Sequence, residues 1–240
     1  MASGHSDDDY RAAGAAVVQS LVLGSLDVYC HVRPMEPSTA GALRRGTVTA
    51  GLGSPSSQLP TVRALAAGGI TSFALELVPR ISRAQSMDAL TSQALVAGYR
   101  CVLEAAMRLP RFFPLYMTAA GTIPPARVLV LGAGVAGLQA IGTAKRLGAR
   151  VSANDIRPAS ADEVASMGGT FIRLDQETAE ASGGYAREPS ADRGALQRAL
   201  LTPHVAQADV LITTAAVPGR RAPLLVTREM VQGMRPGCVV

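Results

Sequence analysis

One stretch restricts the fold of this chain more than any other. Residues 127–144 read RVLVLGAGVAGLQAIGTA, an apolar run followed by Gly132-x-Gly134-x-x-Gly137 and then a helical pattern. A carboxylate, Asp155, stands 18 residues beyond Gly137, at the end of the next apolar run, RVSAND. Strand, glycine turn, helix and second strand with a terminal acid together form a dinucleotide-binding fingerprint. Gly132 permits the tight turn. Gly134 lets the backbone approach a pyrophosphate, and Gly137 lets helix and strand pack closely. Val135 and Ala136 then sit in the first helical turn, where free N–H groups face phosphate. Asp155 is expected to accept hydrogen bonds from ribose hydroxyls, with Ile156 and Arg157 beside it. That arrangement favours NAD over NADP, because a carboxylate repels a 2′-phosphate. Arg157 weakens the preference, since a guanidinium could meet that phosphate. Glycines that only pack a helix on a strand are the competing explanation, and the position of Asp155 argues against it.

The rest of the chain alternates short β-rich runs with longer helical ones. Strands are expected over 27–32, 47–52 and 70–77, and helices over 57–69 and about 87–109. GTIPPA (121–126) reads as a linker, because paired prolines break a helix. Beyond it, strands are expected at RVLVLGAG, RVSAND, TFIRLD and DVLITTAA, and Thr213, Ala215 and Ala216 in the last of these are candidate cofactor-binding residues. Helices are expected at VAGLQAIGTAKRLGA, ADEVASMGG, ALQRALLTPHVAQA and TREMVQGM, and the final GCVV begins another strand. Residues 176–194 read as a long mobile loop. The expected class is α/β: a doubly wound parallel sheet, Rossmann-like and NAD-binding, plus a second, incomplete α/β domain. The domains are expected at 1–86 and 125–240, with a linking helix and linker over 87–124.

Composition excludes several functions. The longest uncharged window, 128–144, is 17 residues with four glycines, too short and too glycine-rich for a membrane span of about 20 residues. The acidic start, MASGHSDDDYR, is unlike a signal peptide. Net charge is +5 with scattered basic residues and 4% aromatics, so no nucleic-acid surface is expected. Cys30, Cys101 and Cys238 fit no metal or disulfide pattern and read as reduced core residues. No metal site is expected. The three histidines are isolated, and Glu76 reads as a strand carboxylate without a partner.

A second polar cluster, VPRISRAQSMD (78–88), follows the apolar run ITSFALEL. A loop needs polar residues, but not two arginines, a glutamine and an aspartate together. Helix capping and surface ion pairs are the plain explanation. The runs VPRISRAQSMDALTSQALVAGYR, FFPLYMTAAGTIPPARVLVLGAGVAGLQAIGTAKRLGA, GGYARE and LITTAAVPGRRAPLLVTREMV resemble the NAD(H)-binding α subunit, or the first piece of it, of proton-translocating NAD(P) transhydrogenase. The resemblance implies direct hydride transfer between NADH on this component and NADP on a partner subunit, coupled to proton translocation. Such a step needs positioning and no general acid or base. It implies that Arg80 reaches the nicotinamide carboxamide, that Gln85 lies at the ring interface, and that Asp88 fixes the nicotinamide end with Tyr99 nearby. Ile81, Ser82, Arg83, Ser86 and Met87 belong to the same cofactor-binding loop. Tyr185 would close over the nucleotide, with Gly183 and Gly184 giving it freedom to move.

The resemblance further implies membrane-embedded and NADP(H)-binding partner subunits, a homodimer of this component, and a cytoplasmic place at the inner (plasma) membrane. It also implies that segments found in the family are missing here at both ends. TAGLGSPSSQLP departs from the family's pattern beside the nicotinamide, and Thr91 stands where serine is commoner. Two alternatives remain. Alanine dehydrogenase shares the architecture, but the histidine it uses on the strand corresponding to VTAGL is absent here. An inactive NAD-binding remnant is the other.

Overall fold

The computed structural model describes residues 4–79, 81–174, 191–216 and 222–240. The chain divides into two compact units, Met1–Leu77 and Val78–Val240, and each holds its own parallel sheet.

The first unit starts with a short helix, α1 (Asp7–Ala12), whose N-terminus is closed by a capping box between Ser6 and Asp9. Its sheet has the order β1 (Val28–His31), β2 (Val48–Gly51), β3 (Thr71–Ala74), all parallel. Helices α2 (Pro37–Ala42) and α3 (Leu59–Gly68) make the crossovers. Gly69 ends α3 in the left-handed conformation, φ 65°, which glycine adopts without a Cβ penalty. The core is small, with Met35, Ala40, Leu43 and Leu65 at its centre. The third strand is shorter than the expected 70–77. A 3-10 turn takes Leu75–Leu77, and the Glu76 carboxylate within it accepts from backbone amides of the loop after β2.

The second unit opens with a 3-10 turn at Ser82–Met87 and the long helix α4 (Ala89–Arg108). A hairpin follows, β4 (Tyr116–Thr118) against β5 (Gly121–Ile123). The expected linker at 121–126 is therefore half strand. Pro124 and Pro125 come just after β5, where proline stops a ladder without interrupting one. The main sheet has the order β8-β7-β6-β9, from β6 (Arg127–Leu131), β7 (Arg150–Asn154), β8 (Thr170–Phe171) and β9 (Val210–Thr213). All its pairings are parallel, and Val239 bridges Val210 in parallel at the β9 side. Between the strands run α5 (Val135–Arg146), α6 (Ser160–Ser166), α7 (Ala191–Gln207) and α8 (Arg228–Gln232). Helix α7 begins inside the expected 176–194 loop, and β8 is shorter than TFIRLD.

Four of the five β6 residues are buried, the pattern of a central parallel strand covered on both faces. Its alternate side chains build two cores. Val128 and Val130 face one cluster with Val102 and Ala105 of α4, Ala140 and Ile141 of α5, and Val164 of α6. Leu129 and Leu131 face the other with Leu201 and Val205 of α7 and Met230 of α8. Helices on both faces of a parallel sheet make this a doubly wound, Rossmann-like unit. The cysteines are free, but Cys30 and Cys101 are exposed and Cys238 is only partly buried, which corrects their expected place in the core. Cysteine is compatible with a core and does not require one. No helix among the described residues is long and apolar enough to cross a membrane.

Candidate functional site

The glycine turn lies where β6 hands the chain to α5. Gly132 has φ +98°, and a Cβ there would sit 2.8 Å from the Ala215 nitrogen and 2.9 Å from the Thr214 Oγ1. A Cβ at Gly137 would lie 1.9 Å from the Gly132 carbonyl oxygen. Both glycines are thus required by the close packing of turn, helix and strand end. Gly134 differs: nothing lies within 4 Å of the space its Cβ would take. It caps α5 in an extended conformation without a side-chain cap. The first bond of the helix is from the Leu138 N–H to the Gly134 carbonyl, 2.8 Å. The N–H groups of Val135, Ala136 and Gly137 precede it, in the turn that a helix leaves without intrahelical partners. An open, side-chain-free approach to amide donors fits a pyrophosphate.

Neighbouring strands hold the turn from both sides. The Gly132 N–H donates to the Asn154 carbonyl at 2.8 Å, and the Thr214 N–H to the Leu131 carbonyl at 2.8 Å. The Thr214 hydroxyl donates to the Gly132 carbonyl at 2.8 Å. Thr214 belongs to the site, although sequence reasoning singled out its neighbours Thr213, Ala215 and Ala216. The available signal was a second hydroxyl inside the expected strand DVLITTAA, next to Thr213.

Asp155 is held by hydrogen bonds at the turn. One carboxylate oxygen accepts from the Ala133 N–H at 2.7 Å. The other accepts from the Arg157 N–H at 2.9 Å and its Nε at 3.1 Å. The Arg157 Nη2 also donates to the Ala133 carbonyl at 3.1 Å. The Asp155 side chain is 9% exposed and that of Arg157 22%. Asp155, Arg157 and the turn backbone therefore form one network, with Ile156 partly buried between the two side chains' anchor points. A ribose hydroxyl reaching Asp155 would share or replace the guanidinium.

The second polar cluster is placed by α4. Asp88 is the N-cap residue of α4. Its carboxylate accepts from the Thr91 N–H at 2.8 Å and from the Thr91 hydroxyl at 2.6 Å. Ala84 is buried and anchors the 3-10 turn, while Ile81, Ser82, Arg83, Gln85, Ser86 and Met87 are exposed. Tyr99 is half exposed on the same helix. Eleven residues separate it from Asp88, about 16 Å along the axis on the same face, so the two are not adjacent. Next to Tyr99, Gly98 brings α4 onto the first turn of α5. A Cβ on Gly98 would lie 2.1 Å from the Ala136 carbonyl oxygen. Arg80, Gly183, Gly184 and Tyr185 lie outside the described residues, as does most of the loop expected over 176–194.

The carboxyl edge of the first unit's sheet carries its own polar groups. His31 ends β1 with its ring over Gly51, where a Cβ would be 2.6 Å from the imidazole Nδ1. That Nδ1 lies 2.8 Å from the Arg33 carbonyl. A carbonyl only accepts, so Nδ1 is the donor in this contact. Glu76, expected to be without a partner, accepts from the N–H groups of Gly53 (3.2 Å) and Ser54. Among the described residues no cluster of His, Cys, Asp and Glu could hold a metal ion.

A doubly wound sheet with a glycine turn, an open helix N-terminus and an acid at the second strand end is the arrangement of the Rossmann-like class, whose sheets bind dinucleotides at that edge. Comparison with known proteins is narrower. "Alanine dehydrogenase/PNT, N-terminal domain" matches residues 1–97 and "Alanine dehydrogenase/PNT, C-terminal domain" matches residues 101–240. The chain belongs to the alanine dehydrogenase/PNT family. It is 48% identical to the first of the pieces that make up the NAD(P) transhydrogenase alpha subunit of Rhodospirillum rubrum, over 98% of this chain and 64% of that protein. It is 32% identical to alanine dehydrogenase of Mycolicibacterium smegmatis, over 98% of this chain and 59% of that protein. The crystal structure of transhydrogenase from Sinorhizobium meliloti superposes with a TM-score of 0.83 at 44% identity, over 99% of this chain and 64% of that one. The chain thus spans slightly under two thirds of the length of these transhydrogenase relatives.

Proposed function

We propose that this chain is the NAD(H)-binding component of a proton-translocating NAD(P) transhydrogenase. The observation that carries this reading is the 48% identity to a transhydrogenase alpha subunit, against 32% to alanine dehydrogenase, across nearly the whole chain. In this reading the pyrophosphate of NAD rests on the amides of the Gly132–Gly137 turn, and the adenosine ribose meets Asp155. Bound there, the nicotinamide supplies or receives the hydride exchanged with NADP on a partner subunit. The chain's own residues then bind, orient and exclude water, which suffices for a transfer that releases no proton in the step itself. Arg80, Gln85 and Asp88 are the positioning residues of the reading. Asp88 contributes by fixing the start of α4, and Gln85 and Arg83 by their exposure on the turn ahead of it. Tyr185 with Gly184 covers the nucleotide. The partners are NADP(H)-binding and membrane-embedded subunits and a second copy of this component, at the cytoplasmic face of the inner (plasma) membrane.

Titration of the purified chain with NADH and with NADPH, followed by nucleotide fluorescence, tests the binding half. Saturable NADH binding with a much weaker NADPH response is expected. Binding of neither would refute the reading and leave a remnant of the family. An amino-acid dehydrogenase is the second reading, and one observation favours it. His31 stands at the carboxyl edge of the first sheet with its Nδ1 against the Arg33 carbonyl, and an imidazole is a side chain suited to the proton transfer that oxidative deamination needs. Alanine-dependent reduction of NAD, lost in His31→Ala, would select that reading over the first.

A further inference from the structure

The loop between β2 and α3 is built around Ser54. This residue has φ 47° and, among the described residues, is the one non-glycine with positive φ. The left-handed region costs a side-chain-bearing residue about 1–2 kcal/mol, and such strain collects where function needs a particular backbone. Three donors converge on the Ser54 carbonyl: the N–H groups of Ser57 and Gln58, each at 3.0 Å, and the Ser57 hydroxyl at 3.1 Å. Gln58 is the N-cap residue of α3. Glu76 completes the set from the far side, its carboxylate taking the N–H groups of both Gly53 and Ser54. Glu76 thus holds Ser54, and Ser54 holds the start of α3. The loop leaves the carboxyl end of β2, and Glu76 follows the carboxyl end of β3. Parallel α/β sheets present ligand-contacting loops at that edge.

We infer that Glu76 is a positioning residue for the reaction proposed above, acting through the conformation of loop 52–58 and touching no substrate itself. The inference rests on that proposed function. A carboxylate is suited to the task because both its oxygens only accept, so two adjacent amides can be held at once. Glutamine keeps the shape but turns an NH₂ group toward one of those amides, and alanine releases both.

The test uses the full chain in three forms: wild type, Glu76→Gln and Glu76→Ala. Hydrogen exchange at the amides of Gly53 and Ser54 reads the latch directly. Loss of about tenfold in protection is expected at both amides in Glu76→Ala and at one of them in Glu76→Gln, the effect of one charge-assisted hydrogen bond per amide. Hydride transfer between NADH and NADP+ is then measured after reconstitution with the NADP(H)-binding and membrane components of the Rhodospirillum rubrum enzyme. A fall of about tenfold in kcat is expected, with NADH affinity within about threefold of wild type, because a positioning loss acts on the transfer step and not on ground-state binding. Circular dichroism and the melting temperature serve as the folding control, and Glu76→Gln is the variant that preserves side-chain volume if Glu76→Ala unfolds. Unchanged exchange at both amides would overturn the latch. Lost protection with unchanged kcat would overturn the positioning role. Absence of turnover in the wild-type chain would refute the proposed function and the role that depends on it, while the exchange data would still decide whether Glu76 holds the loop.

Discussion

Replacing Gly98 by alanine sets two effects of opposite sign against each other. Gly98 lies inside α4, where alanine is the better helix former by about 1 kcal/mol. With nothing nearby, the substitution would stabilise the chain. The structure puts the new Cβ 2.1 Å from the Ala136 carbonyl oxygen, 2.9 Å from the carbonyl carbon and 3.1 Å from its Cα. That is 1.3 Å short of the 3.4 Å at which ordinary contact begins. The obstacle is backbone in the first turn of α5, so no side-chain rotation relieves it. Forcing a methyl into a packed contact costs about 3 kcal/mol at the upper end of the usual range. The net is a destabilisation of about 2 kcal/mol. For a unit of this size that lowers the melting temperature by about 4–8 °C. Ala136 is in the turn assigned to pyrophosphate, so NADH affinity should fall as well. Thermal unfolding followed by circular dichroism, with an NADH titration below the transition, measures both. A melting temperature at or above that of wild type would refute the reasoning, because it would mean that helix propensity wins and the helices have room to part.

Other outcomes follow from the same geometry. Asp155→Ala should weaken NADH binding by about 1–3 kcal/mol through lost hydrogen bonds, and it should narrow the preference over NADPH because Arg157 loses its carboxylate; parallel titrations with the two nucleotides check both. Asp209 is 7% exposed at its side chain and accepts from Arg111 at 3.1 Å, Arg235 at 2.7 Å and the Arg127 N–H at 2.8 Å. Asp209→Ala should therefore cost about 3 kcal/mol, as expected when one partner of a buried charged network is removed, read from urea unfolding with NADH affinity per folded molecule unchanged. Gly51→Ala should destabilise the first unit by about 2 kcal/mol, since its Cβ would lie 2.0 Å from the His31 carbonyl oxygen and backbone crowding of that kind is costly; limited proteolysis with sites assigned to residues 1–77 would show whether that unit alone loosens.

Much of this molecule is legible one segment at a time. The turn at Gly132, Gly134 and Gly137 needs no distant residue to be recognised, because a strand, a left-handed glycine and a helix start are all local. The buried run RVLVL and the glycine closing α3 are legible for the same reason: burial on both faces and a helix stop leave their marks in adjacent residues. What the sequence by itself determined was therefore the order of strands and helices, the place of the glycine turn and the acid at the next strand end. Tertiary structure alone decided the partners. Thr214 meets the turn only because β9 lies beside β6, and Asp155 reaches the Ala133 N–H only because β7 lies beside β6. Glu76 stopped being an isolated strand carboxylate when β2 and β3 paired and set it beside the amides of Gly53 and Ser54. GTIPPA became half a hairpin when Tyr116–Thr118 folded against it. Pairings of this kind join residues separated by anything from a few positions to about eighty, and no local propensity records which donor will meet which acceptor, because that choice is made by packing.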